Sequence, residues 1–84
     1  MSMKEVIVYV KAADPYSVRA CTLLRMKEVT FETRDVSHYA DEMLIVTGNS
    51  IAPQIVINGR AIGNFEALGS LELKGELDRL LAAK

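Results

Sequence analysis

Val6, Ile7, Val8, Tyr9 and Val10 form an almost unbroken run of β-branched and aromatic residues, inside a segment Lys4–Val10 that reads as a strand. A run without polar alternation marks a central strand buried on both faces. After the loop Lys11-Ala12-Ala13, the pair Asp14-Pro15 signals a helix start: a capping carboxylate, then proline at the first helical position, where its missing N–H costs nothing. That helix is expected to run to about Val29, with Ala20, Leu23 and Leu24 inward and Arg19, Arg25, Lys27 and Glu28 in water. Phe31–Val36 alternates and predicts a second strand, parallel to the first because a crossover helix joins them. Ser37 or His38 is expected to open a second helix through about Val46, stopped by Gly48. Gln54–Ile57 predicts a third strand, Asn58-Gly59 a tight hairpin turn, and Ala61-Ile62 a short fourth strand. Phe65–Lys74 reads as a helix interrupted by Gly75, and Glu76–Ala83 as a last helix with Leu77, Leu80 and Leu81 inward. The order βαβαββαα predicts an α/β domain: a four-stranded mixed sheet with helices on both faces.

The chain has 84 residues, half of them hydrophobic, which suits one small domain over residues 1–84 with a simple core. No repeat, low-complexity tract or linker suggests a second domain. One cysteine, Cys21, excludes an internal disulfide and suits a reducing compartment such as the cytosol. A net charge of −1 leaves no basic footprint for nucleic acid. Val6–Val10 is too short to span a membrane or to form a signal-peptide core. A soluble, cytoplasmic monomer is expected. No His/Cys cluster suggests zinc.

Four stretches, in order and correctly spaced, then carry a family likeness. Lys11-Ala12-Ala13-Asp14-Pro15-Tyr16-Ser17 lies between the first strand and helix. Ile51-Ala52-Pro53 precedes the apolar strand Gln54–Ile57. Asn58-Gly59 is followed by Ile62-Gly63, and Gly63-Asn64-Phe65-Glu66-Ala67-Leu68 opens the next helix. The chain resembles the bacterial glutaredoxins along nearly its whole length. In that family the first stretch is lysine, two variable residues and Cys-Pro-Tyr-Cys, the second is Thr-Val-Pro, and the last contains Gly-Gly and an acidic pair. The resemblance implies the thioredoxin fold in its shortest form, thiol–disulfide oxidoreductase ancestry with roles in redox homeostasis and electron transfer, and a glutathione groove. It assigns Lys11 to the tripeptide's terminal carboxylate, Ala52 with a cis Pro53 to its cysteinyl part, and Asn64, Phe65 and Glu66 to its γ-glutamyl end. Pro15 and an exposed Tyr16 complete the groove.

The departures bear on chemistry. Asp14 and Ser17 stand where the family has its nucleophilic and resolving cysteines, Ile51 replaces the threonine and Asn64 the second glycine. A helix N-terminus stabilises a thiolate, and it stabilises aspartate by the same electrostatics. A carboxylate cannot attack sulfur to form a disulfide, and a serine hydroxyl stays protonated without an activating base. Nothing places His38, the only histidine, near Ser17. Cys21, one turn beyond Ser17 on the same face, reads as a small buried hydrophobe beyond reach of the helix-end field. An iron–sulfur cluster would need the cysteine that Asp14 replaces.

The expectation is a glutaredoxin-like chain inert in disulfide exchange. It requires no cofactor, and it holds glutathione, weakly, or a thiol peptide in the old groove; any protein partner is unspecified. Two alternatives remain at this point. One is a site-substituted variant of an active dithiol glutaredoxin. The other is a structural partner-binding module, for which the helix faces offer no obvious apolar patch.

Overall fold

In the computed structural model, which describes residues 5–82, the continuous apolar run becomes β1 (Val6–Val10). The expected strand start at Lys4 and helix end at Ala83 lie outside the described residues. β1 pairs in parallel with β2 (Glu32–Asp35) and antiparallel with β3 (Gln54–Ile57), and β4 (Arg60–Gly63) closes the sheet in the order β2-β1-β3-β4. The parallel pair is the one joined by a crossover helix, α1 (Pro15–Met26), as parallel pairing requires. Asn58 and Gly59 both adopt left-handed φ, 51° and 80°, which lets two residues turn the β3–β4 hairpin. The remaining helices are α2 (Val36–Thr47), α3 (Phe65–Leu73) and α4 (Glu76–Ala82).

The strands' alternation divides the core into two layers. Val6, Val8, Ile55 and Ile57 pack with Ala20, Cys21 and Leu24 of α1, Leu68 of α3, and Leu77 and Leu81 of α4. On the other sheet face Ile7, Tyr9 and Val56 pack with Met43 of α2. Each fully buried large side chain among these contributes about 1.5–3 kcal/mol relative to exposure. The Tyr9 hydroxyl donates to Glu42 Oε2 at 2.5 Å, and Arg34 bonds both Glu42 and, at 2.7 Å, Glu32. This network ties α2 to β1 and β2. Burial, followed by the Glu42 carboxylate, pushes the Tyr9 phenol above its ordinary pKa.

Several boundaries differ from expectation. α1 stops at Met26 rather than near Val29. Lys27 N–H turns back to Leu23 and Leu24, Glu28 adopts a left-handed φ of 59°, and Val29 N–H closes on Leu24 O. This is a helix-ending pattern usually given to glycine, so the sequence carried no sign of it. Lys27 does not simply face water: its Nζ lies 2.7 Å from Glu72 and 3.0 Å from Asp78, clasping α1 to α3 and α4. Leu23 and Leu80 are only partly buried. β2 is shorter than Phe31–Val36, because Asp35 caps α2 by accepting from Ser37 N–H at 2.8 Å and Val36 is already helical. α2 runs to Thr47 before Gly48 ends it at φ 73°. β4 extends beyond Ala61-Ile62 to Arg60–Gly63, and α3 ends at Leu73, with Lys74 as its cap. α2 and the following loop also expose Leu44, Ile45, Val46 and Ile51, an apolar surface the sequence reading did not anticipate.

Candidate functional site

The C-terminal end of β1 feeds a tight loop into α1. Ala13 takes a left-handed φ of 61°, and Asp14 N–H returns to Lys11 O at 3.2 Å. This turn sets Asp14 in extended geometry as the α1 cap. One oxygen, Asp14 Oδ2, accepts both from Ser17 N–H at 2.8 Å and from Ser17 Oγ–H at 2.9 Å. Ser17 Oγ in turn accepts from Lys11 N–H at 3.0 Å. Loop, cap and first helical turn are thus closed into one hydrogen-bonded ring. Ser17 is only 3% exposed, and its single hydroxyl proton is committed to the carboxylate. The positive end of α1 favours the same carboxylate.

The arrangement lacks a base for serine. His38 is an exposed residue of α2, on the opposite face of the sheet from α1. Cys21 is buried, and that burial pushes its thiol above the ordinary range; the nearby Arg25 charge only partly offsets this. Nothing at this helix end therefore supplies a thiolate at neutral pH. Among the described residues no group of three or more His, Cys, Asp or Glu side chains could hold a metal ion.

Beside the helix end, on its β3–β4 side, lies a groove of about 220 Å³ lined by Tyr16, Ile51, Ala52, Pro53, Asn64, Phe65 and Glu66. The Ala52–Pro53 bond is cis, as expected. Asn64 caps α3 by accepting from Ala67 N–H at 3.0 Å, and Glu66 places an acid in its first turn. Gly63 is required here: its φ is +123°, and an added Cβ would come within 3.0 Å of Ala67 Cβ. Tyr16 is half exposed and faces Phe65 with ring centroids 6.3 Å apart, while Arg19 stacks over the Tyr16 ring at 5.1 Å.

Six residues named from sequence, Tyr16, Ala52, Pro53, Asn64, Phe65 and Glu66, therefore share one groove. Asp14, Pro15 and Ser17 sit at the adjoining helix end and do not line it; Lys11 and Ser17 instead line a separate cleft on the β2 side of α1. Sequence reasoning did not name Ile51 or Arg19 as site residues. Ile51, 72% exposed, could have been found as a large apolar residue two positions before Pro53, and Arg19 from its helical spacing to Tyr16.

Residues 6–62 match the family model described as Glutaredoxin. The chain is 37% identical over 82 residues to Glutaredoxin 3 of Escherichia coli, covering 94% of this chain and 99% of that one. It is 37% identical over 81 residues to Glutaredoxin 1 of Rickettsia conorii, covering 90% and 79% respectively. Among solved structures, a glutaredoxin from Brucella melitensis superposes with a TM-score of 0.79 at 36% identity, covering 92% of this chain and 87% of that one. A buckwheat glutaredoxin–glutathione complex superposes at 0.84 with 20% identity, covering 93% and 76%. That last likeness concerns the fold alone.

Proposed function

This chain belongs to the glutaredoxin family of thiol–disulfide oxidoreductases, and from that premise we propose that it does not itself exchange disulfides but holds glutathione or a thiol peptide in the groove beside α1. The observation that carries this reading is the closed ring of Lys11, Asp14 and Ser17. At the two positions where relatives use cysteines, the carboxylate and hydroxyl satisfy one another and leave no nucleophile. The raised thiol of buried Cys21 supports the same reading, since disulfide exchange needs a thiolate.

The groove itself supports ligand binding. Tyr16, Phe65 and Ile51 offer apolar and aromatic surface, the backbone at Ala52–Pro53 offers an extended edge, and the N-terminus of α3 offers free N–H groups. In this reading Ala52 and Pro53 receive the cysteinyl part of the ligand, and Asn64, Phe65 and Glu66 its γ-glutamyl end. Lys11, which lines the cleft on the other side of α1, extends round the head of that helix toward the ligand's terminal carboxylate, with Pro15 and Tyr16 along the ligand's flank. Asp14 places fixed negative charge near the ligand's sulfur, so a neutral thiol is accepted and a thiolate repelled. Affinity for glutathione is accordingly lower than in a relative with cysteines. The described residues form one two-layered unit, which supports treating residues 1–84 as a single glutaredoxin-like domain.

The test is glutathione-dependent reduction of a small mixed disulfide by the unmodified chain and by its Asp14→Cys/Ser17→Cys variant. The expected result is no turnover by the first and turnover by the second. Turnover by the unmodified chain would refute the proposal and direct attention to Cys21. A folded variant that remains inert would show that the groove no longer positions a disulfide.

A further inference from the structure

A second cleft of about 220 Å³ opens on the β2 side of α1, between that helix and the ends of β1 and β2. Its walls are Val10 and Val18, the latter 59% exposed although apolar. Its floor is Cys21, uncharged at neutral pH because burial raises its thiol pKa. Its polar groups are Ser17, whose hydroxyl proton is already committed to Asp14, and Thr33. Two cations, Lys11 and Arg25, complete the lining, and no carboxylate does.

Neither cation has a carboxylate partner among the described residues. Among the described residues the ion pairs within 4.0 Å involve Lys27 and Arg34, and neither Lys11 nor Arg25. Arg25 is nonetheless held in place, with its guanidinium carbon 5.6 Å from the Phe31 ring centroid. A cation–π contact uses none of the guanidinium N–H donors, so they remain for an acceptor, and their planar fork matches a carboxylate in two parallel hydrogen bonds. An uncovered apolar slot with two unpaired cations and no competing anion has the complementarity of an amphiphilic anion. An inorganic anion would leave Val10 and Val18 in water, and a neutral apolar molecule would leave both cations unanswered.

We propose that this cleft binds a small carboxylate with a short apolar tail, the carboxylate held by Arg25 and Lys11 and the tail lying between Val10 and Val18 over Cys21. This site goes beyond the groove reading and does not depend on it. The two share Lys11, so Arg25 and Val18 carry the test.

The experiment is a titration of the uniformly ¹⁵N-labelled full chain with sodium hexanoate at low ionic strength, followed by amide and arginine side-chain resonances. Saturable shifts are expected at Val10, Val18, Cys21, Thr33 and the Arg25 Nε, without comparable shifts at Ile51, Ala52 or Phe65. Arg25→Gln, whose spectrum verifies folding, is expected to weaken binding about tenfold through loss of one charge-assisted contact. Val18→Glu, which brings to the slot a carboxylate that repels the ligand and competes for Lys11 and Arg25, is expected to abolish it. Hexanol and inorganic phosphate are expected to produce no saturable shift. Linear, unsaturated shifts with hexanoate would overturn the proposal. So would unchanged affinity in Arg25→Gln, or equal binding of hexanol or phosphate.

Discussion

Replacing Asp14 by alanine tests whether the hydrogen-bonded ring at the head of α1 is what the geometry says it is. The substitution removes the acceptor for Ser17 N–H, bonded at 2.8 Å, and for Ser17 Oγ–H, bonded at 2.9 Å. Loss of a capping side chain costs about 0.5–2 kcal/mol. Ser17 is 3% exposed, so its hydroxyl has little access to water, and a buried donor left without a partner costs about 1–3 kcal/mol. The two losses share one oxygen and do not add fully, which gives an expected destabilisation of about 2–3 kcal/mol. For a domain of this size that lowers the melting temperature by roughly 8–24 °C. Asp14→Asn keeps an acceptor oxygen at the same place and is expected to remain within about 1 kcal/mol of the parent. Urea unfolding at pH 7, followed by far-ultraviolet circular dichroism, measures all three proteins, and Ser17→Ala in each background isolates the coupling between the partners. A loss below about 0.5 kcal/mol in Asp14→Ala, with an unchanged denaturant slope, would refute the ring. It would also leave the Ser17 hydroxyl free, removing the observation on which the inert-site reading stands.

Cys21 is expected to resist alkylation by iodoacetamide in the native protein at pH 7.4 and to react at once in urea, because burial hides the sulfur and holds the thiol protonated; fast native alkylation, read by mass spectrometry, would contradict this. The raised pKa values of Cys21 and Tyr9 mean that the unfolded chain ionises first at alkaline pH. Their contribution to stability is therefore complete below their ordinary values of 9.0 and 10.0 and is lost as pH rises through the raised ones. Urea midpoints measured from pH 8 to 11 are expected to fall, and Tyr9→Phe, costing about 1 kcal/mol at neutrality through its lost hydrogen bond to Glu42, is expected to flatten the upper part of that decline. Gly63→Ala is expected to destabilise by about 1–3 kcal/mol, because the backbone φ of +123° disfavours any side chain and the new Cβ meets Ala67. The companion change Ala67→Gly should recover only the contact, not the backbone cost, in the same urea assay.

Much of this molecule was legible as a string of letters because its rules are local. An unbroken apolar run made Val6–Val10 a central strand, Asp14-Pro15 opened a helix, Asn58-Gly59 turned a hairpin, and Gly48 and Gly75 ended helices. The absence of cysteine from positions 14 and 17 is likewise a fact of sequence, and it constrains the chemistry before any coordinate is known. Where the sequence misled, the deciding interactions came from outside the segment. Met26 ends α1 without a glycine because the chain folds back onto Leu24, and Lys27 leaves solvent because α3 and α4 bring Glu72 and Asp78 to it. Exposure on α2 could not be read from its apolar letters, since only packing on the sheet decides that Met43 is covered and Ile45 is not. The site divides in the same way. Residue types at the head of α1 come from sequence, but the closure of Lys11, Asp14 and Ser17 on one another is a matter of distances below about 3 Å. The separation of the groove from the cleft holding Lys11 and Arg25 depends on which side of α1 each loop reaches. Local propensity and periodicity act between near neighbours in the chain, so sequence determines the elements. Burial, pairing and side-chain reach act between neighbours in space, and those exist only once the sheet has assembled.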